Sequence, residues 1–260
     1  MSTMSNVKMA DDDVEQHSLL KSIVLHLLPG VLMLAFFIIV APLAESKGVP
    51  SMIGYTLAVF FVQIPFELGL LYYLGKKRNG EFSLKGIVLY REPMLVWQYI
   101  VLAVVCIIWL FVILNIVFAP LDNYLIESVF SWLPDWFHQG RFMENPDQYS
   151  TASMWLVVAL LWVAAIPGPL VEELYFRGYL LPRISRFGKW SPLINTVLFS
   201  LEHLSKPWQS PGMIVALLPM VYAVWWKKNL KLGIIVHCVV VALGFLFITL
   251  GMLALMLGWM

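Results

Sequence analysis

Residues 169–178 read Pro-Leu-Val-Glu-Glu-Leu-Tyr-Phe-Arg-Gly and lie inside a long apolar run. They set two adjacent carboxylates, Glu172 and Glu173, next to the guanidinium of Arg177. An ionisable group in hydrocarbon costs a few kcal/mol on insertion scales, about 2.5–3.5, and more on others. Two kept side by side point to use. On a helix Glu173 and Arg177 are four residues apart and pair on one face, while Glu172 sits about 100° round the helix without that partner. One acid is then structural and the other is free to handle protons. The alternative is that both lie at the membrane surface and are merely solvated.

Few other ionisable groups fall outside the polar loops: Glu67, Glu202, His203 and His237. A lone histidine in an apolar helix usually bonds to a neighbouring backbone. Two of them on separate helices, with a glutamate pair on a third, make a stronger case for one shared site. The chemistry such a set supports is hydrolysis. A glutamate takes a proton from water as general base, and two imidazoles orient the water, stabilise an oxyanion or ligate a metal. The chain has no His-Glu-x-x-His helix, no Gly-x-Ser-x-Gly and no Gly-rich phosphate loop, so three common soluble designs are absent.

These residues need apolar helices to position them. The 260-residue chain is 60% hydrophobic, with mean hydropathy +0.81. Unbroken apolar runs of this kind read as an all-α, polytopic membrane helix bundle, because lipid admits only helices and closed barrels and the alternating pattern of a barrel is missing. About seven spans are expected, near 22–43, 51–74, 94–118, from 152, 191–204, 213–226 and 232–258. Pro167-Gly168-Pro169 should interrupt the fourth, so that Glu172 opens a fresh helical segment with its acids at the positive end of the dipole. The chain divides into a polar tail at 1–20, N-terminal spans with a long loop at 21–151, and core spans at 152–260. Aromatics in the loop 119–152 suit an interfacial helix. All but Lys47, Arg141 and Lys206 of the 17 basic residues fall on one side, which predicts a cytoplasmic N-terminus. An integral protein of the plasma membrane is expected. The acidic N-terminus carries no cleavable signal pattern, so the first span would serve for targeting. The net charge of +1 and two cysteines in apolar runs suggest neither a nucleic-acid partner nor a disulfide.

At 1.5 Å per residue, Glu172 counted from Arg183 and His203 counted from Ser191 both lie roughly 16–18 Å deep, with His237 shallower at roughly 8 Å. A cavity open to the cytoplasm and shared by the four side chains is expected. Glu67 could face it, though a tertiary hydrogen bond is the favoured reading. His26 is expected at the interface, and His17 and His138 have no expected catalytic part.

Glu172-Glu173-x-x-x-Arg177-Gly178, Phe199-x-x-x-His203 and His237 together resemble the three motifs of the CPBP family, the CAAX proteases and bacteriocin-processing enzymes, also called Abi. The resemblance covers about residues 152–245. It implies a membrane-helix bundle acting on a membrane-associated protein or peptide in the lipid bilayer. Family members include type II CAAX prenyl endopeptidases, which remove the last three residues of prenylated proteins. By resemblance Glu172 is the base, Glu173 supports it and pairs with Arg177, and His203 and His237 hold the water or the oxyanion. Glu172, His203 and His237 would be the ligands if zinc is used, and the same set works without a metal. One position departs from the pattern. Where an Asn or Asp is usual one turn after the second histidine, this chain has Val241. Asn195 is the expected substitute donor. The competing expectation is a non-catalytic adaptor or immunity protein that keeps the fold. A transporter is disfavoured, because the polar residues gather in one half and no repeat is visible.

Overall fold

The computed structural model describes residues 14–256. It is all-α, with no strand among the described residues. Ten α-helices run α1 Leu19–Glu45, α2 Met52–Ala58, α3 Ile64–Asn79, α4 Val96–Val112, α5 Ala119–Tyr124, α6 Thr151–Ala164, α7 Pro167–Glu172, α8 Ser191–Glu202, α9 Ser210–Lys227 and α10 Leu230–Met256. A π-helical turn, Val59–Gln63, joins α2 to α3 as one rod. Five stretches are long and apolar enough to cross a membrane: Leu19–Glu45, Met52–Asn79, Val96–Val117, Thr151–Glu202 and Leu230–Leu255. Two of the expected spans lie inside the fourth of these, while the expected span at 213–226 falls on α9, which is not among the five.

Local signals account for the ends. Ser18 caps α1 by accepting from Lys21 N, and Ser150 caps α6 by accepting from Ser153 N; each cap satisfies an N–H that the first turn leaves without a partner. Asn229 opens α10 by accepting from Leu232 N at 3.0 Å, and its amide donates to Glu92 O and Tyr99 Oη. That one side chain ties the start of the His237 helix to the segment before α4.

The expected break before the glutamates is present: α6 stops at Ala164 and α7 starts at Pro167. The new helix opens earlier than expected, however. Pro167 lacks the N–H that a first turn would waste, so Glu172 comes more than a turn in and is not held by the helix dipole. From Glu173 to Leu180 the backbone is π-helical, and from Leu181 to Trp190 it is 3-10 helical with a kink at Gly188, where φ is 54°. π turns occur often at functional sites. This stretch is the centre of the main core, with Tyr175, Phe176, Leu180, Leu181 and Ile184 fully enclosed. Gly178 permits the packing. A Cβ there would come 2.7 Å from Val88 Cγ1 and 2.9 Å from Leu230 Cδ2, while Gly178 O accepts from Leu89 N. Arg183 donates to Ile87 O and Tyr179 O.

Three expectations change here. His26 is buried, not interfacial: its Nδ1 lies 2.7 Å from Ser22 O. The polar tail expected at 1–20 is described only from residue 14 on. Residues 1–13 lie outside the described residues, but Gln16 donates to Pro182 O and His17 N to Arg183 O, so the end of the tail is fastened. The loop after α4 forms α5 and a π turn, Leu125–Val129, and then short 3-10 turns. Its Trp136 and Phe137 turn inward against Phe37, where Phe137 also meets Trp208.

Candidate active site

Glu172 and Glu173 are withdrawn from solvent, 8% and 0% exposed, which removes the solvated-surface alternative. Glu173 Oε1 lies 3.5 Å from Arg177 Nη1, so the pairing expected from spacing four exists. Arg177 is also fully buried, and among the described residues its nitrogens have no hydrogen-bond partner. Its guanidinium lies over the Phe199 ring, 3.9 Å from the centroid. The Phe176 ring is also in range, 5.9 Å from the guanidinium carbon, so the cation is held by one carboxylate and two π faces.

Phe199 links the parts. Its edge contacts run to Phe176, His203 and His237, with centroids 4.8, 4.9 and 6.2 Å away. His203 stands one turn later, just past the end of α8. Its Nδ1 is 3.0 Å from Phe199 O and 3.1 Å from Glu202 Oε2. Both are acceptors, so Nδ1 carries the proton and Nε2 is left for other work.

His237 joins the two glutamates. Its Nδ1 is 3.0 Å from Glu173 Oε1, and its Nε2 is 3.5 Å from Glu172 Oε2. Gly233, one turn earlier on α10, makes room for this. A Cβ at that position would sit 2.5 Å from Glu173 Oε2.

A small cavity lies beside Glu172, walled also by Gly30, Met33, Tyr55, Glu202, His203, Leu204 and Ser205. About 10 Å³ of it is open to the centre of a water molecule, close to the least that one water requires. Glu172 and His203 thus share a water-sized space, and His237 touches Glu172 directly. Tyr55, Leu204 and Ser205 belong to helix ends away from the basic 76–91 segment, so these walls do not describe the expected opening toward the basic loops.

Among the described residues no three His, Cys, Asp or Glu side chains converge closely enough to share a metal ion. As placed, Glu172, His203 and His237 do not form a three-ligand zinc site.

Several neighbours had gone unassigned. Gln63, a polar residue inside the apolar second stretch, donates from Nε2 to Glu172 Oε1 at 2.5 Å. Glu202 backs His203. Lys206 lies over Tyr55, 4.5 Å from the centroid, and within the field of Glu172 and Glu202. Burial lowers its pKa from the usual lysine range, against the pull of those acids. Only a polar residue in an apolar run could have signalled Gln63.

Two sequence expectations fail. Glu67 makes no tertiary hydrogen bond: it is fully buried and both its oxygens lack a partner among the described residues. Asn195 is not a spare oxyanion donor either. Its Nδ2 donates to Phe176 O and meets His26 Nε2, each at 3.0 Å. It ties α8 to α1 and to the π-helical stretch. Val241 is half-buried one turn beyond His237.

Residues 153–243 match the family model described as type II CAAX prenyl endopeptidase Rce1-like. The match runs from α6 into α10 and contains Glu172, Glu173, Arg177, His203 and His237. Neither the curated proteins nor the solved structures hold a significant match to the chain. The helices that carry the glutamate pair and both histidines thus lie within a segment that matches an Rce1-like domain, which is consistent with the CPBP family of CAAX proteases.

Proposed function

We propose that this protein is an intramembrane endopeptidase that hydrolyses a peptide bond with a water activated by Glu172. The main support is the His237 ring, which lies between two buried carboxylates, 3.0 Å from one and 3.5 Å from the other. Glu173, balanced by Arg177, accepts the Nδ1 proton and sets the ring so that Nε2 meets Glu172. Glu172 Oε1 is occupied by Gln63, which leaves Oε2 as the basic oxygen.

In the reaction a water beside Glu172 gives a proton to Oε2 as its oxygen bonds to the scissile carbonyl carbon. The carbonyl oxygen becomes an oxyanion beside the His203 and His237 rings, which stabilise it through Nε2–H in their doubly protonated form. When the C–N bond breaks, Glu172 returns the proton to the leaving amine. No step here requires a metal.

The substrate is a membrane-associated protein or peptide, and the Rce1-like match makes a prenylated C-terminus the first class to test. The deciding comparison is cleavage of a prenylated peptide by purified wild type and Glu172→Gln. Glutamine keeps the shape but cannot take the proton, so turnover should fall by about 10²–10⁴ with melting temperature unchanged. Equal turnover would remove Glu172 from its role.

Val241 favours a second reading, a non-catalytic adaptor that keeps the fold, since valine cannot hold water or an oxyanion. Full rescue of a null strain by Glu172→Gln at matched expression would support the adaptor. A gain of turnover in Val241→Asn would support an under-equipped enzyme.

A further inference from the structure

On the rod formed by α2 and α3, two enclosed polar side chains stand one turn apart. Gln63 is 1% exposed and Glu67 0%. Gln63 spends its Nε2 on Glu172 Oε1, yet its Oε1 is buried with no partner among the described residues. Neither oxygen of Glu67 has a partner, although the Gln63 side chain is within its reach.

An ionised carboxylate left alone in such a place costs several kcal/mol or more, whereas the neutral acid adds a donor. Gln63 Oε1, on the side chain one turn away, is an acceptor that lacks a hydrogen. The two ends of a carboxamide have nearly the same shape. Without a donor on Oε1 the amide could turn over and set its own lone pairs against the Glu172 carboxylate.

We propose that Gln63 and Glu67 are positioning residues for the base: neutral Glu67 donates its O–H to Gln63 Oε1, which keeps the Gln63 N–H on Glu172 Oε1 and leaves Oε2 for water. One proton accounts for two otherwise unsatisfied atoms, the Gln63 oxygen and one carboxyl oxygen, and removes the buried charge from the other. The inference rests on Glu172 being the base. It adds a second helix pair to the site, outside the 153–243 segment.

The test measures kcat and KM on a prenylated peptide, with melting temperatures alongside. Gln63→Leu should lower kcat roughly 10- to 100-fold, the scale of losing a group that orients a working residue, with KM little changed. Glu67→Leu should fall equally far, and the double variant no further. Glu67→Gln should recover most of that loss, because its amide can donate to Gln63 Oε1 as the acid does. If Glu67→Gln is as damaged as Glu67→Leu, or if the losses multiply in the double variant, the proposal is wrong.

Infrared difference spectra supply a readout that needs neither turnover nor the leucine variants. Wild type minus Glu67→Gln should show the C=O band of a protonated carboxyl, and that band should shift in Gln63→Glu. A carboxylate band instead would overturn the proposal whatever the enzyme does. If the infrared result holds while wild type cleaves nothing, the endopeptidase reading fails and the Glu67–Gln63 bond stands.

Discussion

Glu173 Oε1 accepts the Nδ1–H of His237 at 3.0 Å, and this contact decides which ring nitrogen turns toward Glu172. Glu173→Gln should therefore damage the site more than its near-equal shape suggests, because an amide can present its N–H₂ to the ring and favour the other tautomer. We expect kcat to drop about 10²-fold or more with KM nearly unchanged. Histidine NMR would show the tautomer change directly, and a normal tautomer with normal turnover would refute this role.

Arg177 is wholly enclosed between Glu173 and Phe199. Arg177→Ala strands a buried carboxylate, a loss of about 3–5 kcal/mol. The expected result is a sharp fall in detergent-extracted, monodisperse protein. Arg177→Lys should recover little, since an ammonium lacks the planar face that lies on Phe199. Wild-type yield from the alanine variant would show that the pair is dispensable.

Gly233→Ala places a Cβ 2.5 Å from Glu173 Oε2. The carboxylate must move away from α10, and with it the Nδ1 contact of His237. Overpacking of this kind costs about 1–3 kcal/mol. Melting temperature should fall moderately and turnover severely; alanine at the exposed, uncrowded Gly69 of the same fold should alter neither by a comparable amount.

His17 predicts an acid-sensitive fastening of the N-terminal segment. Its ring packs edge-on to Tyr179, and its backbone N–H donates to Arg183 O. Burial, with Lys21 and Arg183 nearby, presses its pKa down from 6.5 to about 4, against a small opposing effect of Glu15. The released imidazole protonates near 6.5 and the docked one near 4, so between those values the free segment holds more protons. Docking is complete above about pH 6.5, weakens as pH falls toward 4 and loses nothing further below that. Hydrogen exchange at residues 16–18 should quicken over this window in wild type. His17→Phe, which stays uncharged, should remove the pH dependence.

Composition and motif spacing alone determined a helical membrane bundle and pointed to the Glu173–Arg177 pair; that two distant histidines share the glutamates' site was an expectation carried also by the family resemblance. Hydrophobic runs and a four-residue spacing are local properties, and the cost of burying charge makes each exception conspicuous. Only the tertiary structure decided what each polar side chain touches. Asn195 shares a face with His203 in sequence, yet α1 and the π-helical stretch capture its amide. Gln63 lies more than a hundred residues from Glu172, and Glu67 reads the same whether bonded or alone. His26, near a helix start, is buried because α8 packs over it. Such partnerships depend on how separate helices meet, which no periodicity along one chain encodes. The π-helical backbone after Glu172 is likewise a product of packing, with Gly178 and Gly233 admitting the close approaches that bring His237 between the two acids.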